Sequence, residues 1–298
     1  MYSRCMLCGH KCGVDRSARR GACGMSDELF VARAALHHWE EPPISGTRGS
    51  GTIFFSGCSL GCVYCQNREI SRGESGIAIT TERLTDIMLE LREQGAHNIN
   101  LVTPTHYAPT IAAAIDEARE RGLSVPIAYN TSSYDTVEAL KIMEGRVDIY
   151  LADLKYHKSE TAKRLSHAEN YPEVAQAAIA EMYRQVGDAV VDSDGIMERG
   201  VIVRVLLLPR HLAEAKLNVR RLYDSYGDGI YLSLMSQYTP PRGMEPPLDR
   251  RVTAEEYREL VEYAERIGVK NAFIQEHAAA SESFIPPFDN SGVLPENK

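Results

Sequence analysis

The sequence predicts an α/β fold: a partial (β/α)6 barrel preceded by a small N-terminal metal-binding module. Three observations predict it. From residue 52 onward, six short apolar, β-branched runs alternate with amphipathic helical stretches, the pattern of parallel strands joined by right-handed crossovers. Polar or reactive residues follow each of the six runs, as they do at the C-terminal ends of barrel strands. Residues 1–25 hold four cysteines and little apolar periodicity, so a metal is needed to organise them.

The elements follow in order. Residues 1–50 form the cysteine-rich module and a connector, with a short strand or helix through 30–36 and the turn-rich EEPPISGTRGSG. Residues 51–298 form the barrel with a C-terminal extension. Strands are expected at 52–56, 98–102, 125–129, 148–152, 201–207 and 230–234. Helices are expected at 82–93, 109–121, 136–143, 158–164, 172–185, 213–223 and 254–266. VVDSDGIMERGVIV reads as a hairpin turning at 193–195.

Composition narrows the function. A chain of 298 residues with 44% hydrophobic and 25% charged content reads as an ordinary globular protein. Its net charge of -8 argues against a general nucleic-acid binder. No apolar run is long enough to suggest a membrane span, and MYSRCMLCGHKCG lacks the apolar core of a secretory signal. Seven cysteines, clustered and odd in number, point to metal ligation in a reducing, cytoplasmic setting.

Three of them lie in GCSLGCVYCQN, residues 57–67, as C-x3-C-x2-C. Thiolates hold iron–sulfur clusters, and a cubane takes four ligands. Cys58, Cys62 and Cys65 therefore leave one iron open to a small molecule, much as catalytic zinc sites keep one position free. Gly57 and Gly61 let the loop wrap tightly. Zinc with a fourth ligand from elsewhere is the rival; buried cysteines without a ligand role are the plain alternative.

This loop, with Tyr64 before its last cysteine, resembles the signature of radical S-adenosylmethionine (SAM) enzymes. The Gln66-Asn67 that follows points to the branch of pyruvate formate-lyase-activating enzymes. NLVTPTH, NTSSYD, DIYLADLKY, SLMSQYTP, FIQE and SFIPPFD, with EEPPISGTRGSG, extend the resemblance from Cys5 to about Asp289. The chain is thus similar to an activating-enzyme-like subgroup with a cysteine-rich N-terminus, and the implied fold is the partial barrel of the radical SAM type.

The resemblance implies that Cys58, Cys62 and Cys65 ligate a [4Fe–4S] cluster whose open iron binds the amino and carboxylate groups of SAM. One electron then cleaves the sulfonium, and the 5′-deoxyadenosyl radical abstracts hydrogen from substrate. The protein's part is to position the cofactor and exclude water. Main chain around Tyr64 meets adenine, while its ring has core packing as an alternative role. Many relatives carry a glycine-rich GGE motif against the methionyl amine. Thr103, Pro104, Thr105 and His106 stand there instead, so Thr103 and Thr105 inherit the place without the same chemistry. His106 is either a substrate-facing acid or base, or a cap of the next helix. Asn130, Thr131, Asp153 and Lys155 match SAM-pocket positions. Lys155 would meet the ligand carboxylate; Asp153 would bond ribose or simply pair with Lys155. Asn130 stands where an Asp commonly helps hold a monovalent cation, so that cation's site loses one charge. Arg204 reaches the carboxylate or pairs with nearby acids. Glu40, Glu41 and Arg48 border a substrate mouth or form a solvated turn.

Cys5, Cys8, Cys12 and Cys23 make a separate four-ligand set, C-x2-C-x3-C-x10-C, for zinc or iron, with His10 able to replace one ligand. The alternative is a second cluster acting as an electron relay. Residues 1–25 carry Arg4, Lys11, Arg16, Arg19 and Arg20 against Asp15, a net +4 suited to an acidic flavodoxin- or ferredoxin-type donor. This stretch is expected to be dispensable for radical formation with a chemical reductant. The function expected is hydrogen abstraction from a protein or peptide, glycyl-radical activation included. A radical enzyme for a small metabolite and a non-catalytic electron-transfer protein are the alternatives.

Overall fold

A computed structural model describes residues 2–275 and 286–295. Glu276 of FIQE and residues 283–285 of SFIPPFD lie outside the described residues. In chain order the elements are β1 (Leu29–His37), α1 (Pro42–Ser45), β2 (Ser50–Phe55), α2 (Arg68–Ser71), β3 (Ile77–Ile79) and α3 (Thr81–Glu93). β4 (Ile99–Val102), α4 (Ala108–Glu120), β5 (Ile127–Thr131), α5 (Val137–Met143), β6 (Ile149–Asp153), α6 (Ser159–Ser166) and α7 (Tyr171–Val186) follow. The chain continues through β7 (Val190–Val191), β8 (Met197–Leu206), α8 (Leu212–Tyr226), β9 (Tyr231–Met235), α9 (Ala254–Arg266) and β10 (Ala272–Ile274).

One sheet runs β10-β9-β8-β6-β5-β4-β2-β1-β3. Pairing is parallel from β10 through to β2; β1 is antiparallel to both β2 and β3. Every residue of β2, β4 and β5 is buried. That is what a parallel strand covered on both faces requires, and it explains why their apolar residues do not alternate with exposed polar ones. Helices supply the outer cover. In α3, Leu84, Ile87, Met88 and Leu91 face inward, and Thr80 caps its start by accepting from the Arg83 N–H at 3.1 Å. Thr253 and Glu256 close a capping box at the start of α9. This is a mostly parallel α/β sheet, consistent with a radical SAM partial barrel. Among the described residues no helix is long and apolar enough to cross a membrane.

The six expected strands correspond to β2, β4, β5, β6, β8 and β9, with ends displaced by up to four residues. The hairpin is present as β7 against β8, its turn held by the Asp192 carboxylate accepting from the Asp194 and Ile196 amides at 2.8 and 2.9 Å. Two features differ from expectation. β10 adds a seventh parallel strand, three residues long and too short to show a period. Residues 29–37, expected as a short strand or helix over 30–36 within the connector, are a nine-residue strand that joins the main sheet.

The N-terminal segment is not detachable either. Gly9 N–H donates to Tyr134 O and Thr136 N–H to Leu7 O, at 2.9 and 3.1 Å. Cys8, Cys23 and Met25 belong to the principal core. Residues 2–25 therefore pack onto the loops that follow β2, β4 and β5. Their removal would open that core, so deleting residues 1–25 tests folding together with radical formation.

Candidate functional site

A cavity of about 300 Å³ opens at the C-terminal ends of the strands. Cys58, Cys62 and Cys65 line it after β2, Thr103 after β4, and Asn130, Thr131 and Ser132 at the end of β5. Asp153 and Lys155 from β6, Arg204 from β8, and Gln237 and Tyr238 after β9 complete the ring. Parallel strands in register bring these loops to one end, which is why residues distant in sequence meet there.

The cysteine loop is built by its glycines and by neighbours on both sides. Gly57 adopts φ +86°, and a Cβ there would lie 2.2 Å from Met25 Cγ. No other residue fits. Its N–H donates to Ile70 O at 2.7 Å, and Val63 N–H donates to Leu165 O at 2.9 Å. The amides of Leu60 and Gly61 point at Cys58 Sγ, at 3.4 and 3.5 Å. All three thiols are free. Burial, helped by the neighbouring Cys62 and Cys65 charges, pushes the Cys58 thiol up to about 12. Three thiolates in so small a space need a strongly cationic partner, and an iron–sulfur cluster supplies one.

Among the described residues, no three His, Cys, Asp or Glu side chains are grouped to hold a single metal ion, at this loop or among the N-terminal cysteines. Zinc would draw its sulfurs to about 3.8 Å from one another. A cubane takes each cysteine on a different iron, so a wider triad serves. Three free cysteines on one cavity wall are the donor set of a cubane with one open iron, so the residues present fit the cluster.

Lys155 Nζ donates to Asp153 Oδ2 at 2.7 Å. Burial opposes the Lys155 charge, but Asp153 and Cys62 outweigh it and hold the ammonium above its ordinary value. Tyr171 OH fixes the pair, accepting from the Lys155 N–H and reaching Asp153 O, both at 2.9 Å. Arg204 is committed to acids. Its Nε donates to Glu41 Oε1 at 2.7 Å, one terminal nitrogen contacts both Glu40 and Glu41, and the other donates to Asn130 Oδ1 at 3.1 Å. Asn100 Nδ2 donates to Glu40 Oε1 at 3.0 Å. Glu40 and Glu41 are thus inward-facing anions rather than a solvated turn. Arg48 stays exposed beside His97, away from them.

The remaining positions divide. Tyr64 lines the cavity while its ring packs edge-on against Tyr156 and Tyr238, and its oxygen accepts from Tyr156 OH at 2.8 Å. Thr103 takes φ +60°, a conformation natural to glycine and strained for a β-branched residue. Thr105 does not reach the cavity. Its hydroxyl, 3.5 Å from Thr131 Oγ1, belongs to a buried group around Asp135, which accepts from Thr131 Oγ1 at 2.5 Å and Tyr129 OH at 3.0 Å. His106 is also absent from the lining. Its Nε2 bonds Ser56 O at 2.8 Å, and burial together with Arg16 lowers it to about 3. It holds the end of β2 instead of exchanging protons with a ligand. Sequence reasoning missed Tyr171 and the Asn100–Glu40 link. A polar residue inside the apolar run INLV was the available signal for the latter.

The N-terminal thiols also gather. Cys8 is pushed up to about 12 by burial, with Cys23, Cys5 and Cys12 adding to it. A Cβ on Gly21 would lie 3.4 Å from Cys23 Sγ and 3.7 Å from Cys12 Sγ.

Comparison with known proteins agrees with this geometry. Residues 52–192 match the profile of the Radical SAM superfamily. An uncharacterized protein of Methanocaldococcus jannaschii is 28% identical over 277 residues, covering 89% of this chain and 75% of its own. A radical SAM methyltransferase from Sphaerobacter thermophilus superposes with a TM-score of 0.51 at 18% identity, over 76% of this chain and 66% of that one, a likeness of fold. Streptococcus suis SuiB bound to precursor peptide SuiA gives 0.49 at 14% identity, over 72% and 46%. Residues 52–192, which carry the cysteine loop and the ends of β2, β4, β5 and β6, are thus similar to the Radical SAM superfamily, a likeness that implies SAM cleavage to a radical through an iron–sulfur cluster.

Proposed function

We propose that this protein is an activating-enzyme-like radical SAM oxidoreductase that abstracts hydrogen from a protein or peptide, a glycyl residue being one such target. The carrying observation is that the three-thiol loop and the Lys155–Asp153 pair open onto one cavity. When bound, the cluster supplies the electron that cleaves SAM to the 5′-deoxyadenosyl radical. The protein's own residues do the rest. Lys155 offers an ammonium to the ligand carboxylate, Asp153 and Asn130 offer polar contacts to ribose and amine, and the buried Tyr64 excludes water from below. The cavity has the volume of one drug-sized ligand, which SAM itself would fill. The substrate then approaches from the rim, where Trp39 is 60% exposed. A macromolecule suits that approach better than a small metabolite.

Lys155→Ala is expected to weaken SAM binding while the cluster stays intact. One charge-assisted hydrogen bond is worth roughly 1.5–3 kcal/mol, about ten- to a hundred-fold in affinity. Unchanged affinity by calorimetry would make the Lys155–Asp153 pair purely structural.

Arg4, Lys11, Arg19 and Arg20 are exposed. That face suits an acidic flavodoxin- or ferredoxin-type donor in the cytoplasm. The four N-terminal thiols belong to the same reading, as a zinc or iron site of their own. The substrate reading is tested by anaerobic incubation with SAM, reductant and candidate partner proteins, followed by electron paramagnetic resonance. A glycyl doublet on the partner is the expected signal. Deuterium from a labelled small metabolite appearing in 5′-deoxyadenosine, with none transferred from any protein, would replace the macromolecular reading with the metabolite one.

A further inference from the structure

Arg16 is fully buried, at 0% exposure. Its donors are satisfied by main chain: Nε donates to Met25 O at 3.3 Å, and the terminal nitrogens donate to His106 O and Ser26 O. Its carbon stands over the rings of Tyr2 and Tyr107, at 4.9 and 5.4 Å from their centroids. None of the ion pairs among the described residues includes it. Carbonyls and rings stabilise a guanidinium, but they leave its full charge in a low-dielectric interior, a state strongly disfavoured without an anion nearby. Arginine stays protonated there.

The groups able to supply the anion are the thiols. Arg16 Nε and Cys23 Sγ approach the same carbonyl, Met25 O, at 3.3 and 4.0 Å, and the Arg16 stem, Cys23 Sγ and Cys12 Sγ bound the space over Gly21 at 3.5, 3.4 and 3.7 Å. Four thiols would be neutral and leave Arg16 uncompensated. Four thiolates on a metal centre carry net negative charge. The segment also touches the other cysteine loop directly. Cys23 O accepts from the Cys58 N–H at 3.4 Å, and Met25 fills the space left by Gly57.

We propose that Cys5, Cys8, Cys12 and Cys23 bind a metal centre as thiolates, with Arg16 as its buried counter-ion, and that this centre braces the Cys58–Cys65 loop from beneath. The inference rests on the metal reading of the quartet but not on SAM chemistry. An iron–sulfur cluster takes each cysteine on a different iron and suits the quartet as it stands, whereas a single zinc ion would first have to draw the sulfurs together; both carry the required charge, and elemental analysis separates them.

The test uses the full chain with Cys58, Cys62 and Cys65 all changed to alanine, purified anaerobically. It should retain zinc, or iron with sulfide, and Cys12→Ser in that background should release it. Arg16→Met should lower affinity for the same metal about tenfold or more, as loss of groups surrounding a metal site does; Arg16→Lys, which keeps the charge, should lower it less. If Arg16→Met does not fold by circular dichroism, the Arg16→Lys protein and its chelator sensitivity carry the comparison. No metal in the triple-alanine protein, with all four thiols alkylated in the native state, would overturn the proposal. So would a folded Arg16→Met protein that binds metal as tightly as its parent. Metal at the quartet in a chain that never cleaves SAM would leave this inference standing while the radical reading fell. SAM cleavage with an empty quartet would do the reverse.

Discussion

Cys62→Ala is expected to lose both the iron–sulfur absorbance and all 5′-deoxyadenosine formation. Cys62 lies at the centre of the site. Its charge acts on Cys58 and Cys65 within the loop and on Lys155 across the cavity. Replacing it leaves two ligands for a cluster that needs at least three, so the effect on turnover is abolition rather than a graded loss. The fold should survive, because Cys62 is only partly buried at the cavity wall and its removal opens no core. Iron analysis, absorbance and product chromatography on one anaerobic preparation check it. A variant with native far-UV circular dichroism, no cluster and normal product would remove the loop from the mechanism.

Arg204→Met is expected to cost about 3–5 kcal/mol of stability, as removing one member of a buried ion pair does. Glu40 and Glu41 would be stranded, with side chains only 11% and 6% exposed. The pH dependence should change sign. In the native protein, burial raises the Glu41 pKa, but the Arg204 charge and hydrogen bonds outweigh that and hold it below its ordinary 4.5. The stabilisation it contributes is therefore complete above about 4.5 and is lost as pH falls through the lowered folded value. Without Arg204, burial is opposed only by hydrogen bonds from Ser233 and main chain, and the Glu41 carboxyl shifts upward. The variant should then gain stability as pH falls from 7 toward 5, whereas the native protein does not gain from Glu41. Urea denaturation at both pH values, at constant ionic strength, measures the difference. A loss under 1 kcal/mol at pH 7 would show that the two glutamates find other partners.

What could be read from the sequence has a physical pattern. The cysteine loop, the βα alternation and the residues after the strands are local signals: spacing, period and chain order. Asn130, Thr131, Asp153 and Lys155 were found because a parallel strand delivers its next residues to a known end of the sheet. What was not legible depends on partners far away in the chain. Glu40 and Glu41 look like solvated acids in EEPP until Arg204, more than 160 positions on, meets them. Arg16 looks like one more basic surface residue until Tyr2, Tyr107 and three carbonyls close around it. His106 reads equally as catalyst or cap, and only its bond to Ser56 O turns it away from the cavity. β10 was missed because three residues carry no period, and its pairing with β9 decides it.

The central claim is that the three-cysteine loop and the cavity it faces generate a radical from SAM. The most direct test is the time course of 5′-deoxyadenosine from native protein, reduced anaerobically with dithionite and supplied with SAM, its loop iron counted beforehand. The account predicts steady formation of 5′-deoxyadenosine, even without substrate. Protein that holds its loop cluster and binds SAM, yet forms no 5′-deoxyadenosine under reduction, would contradict it.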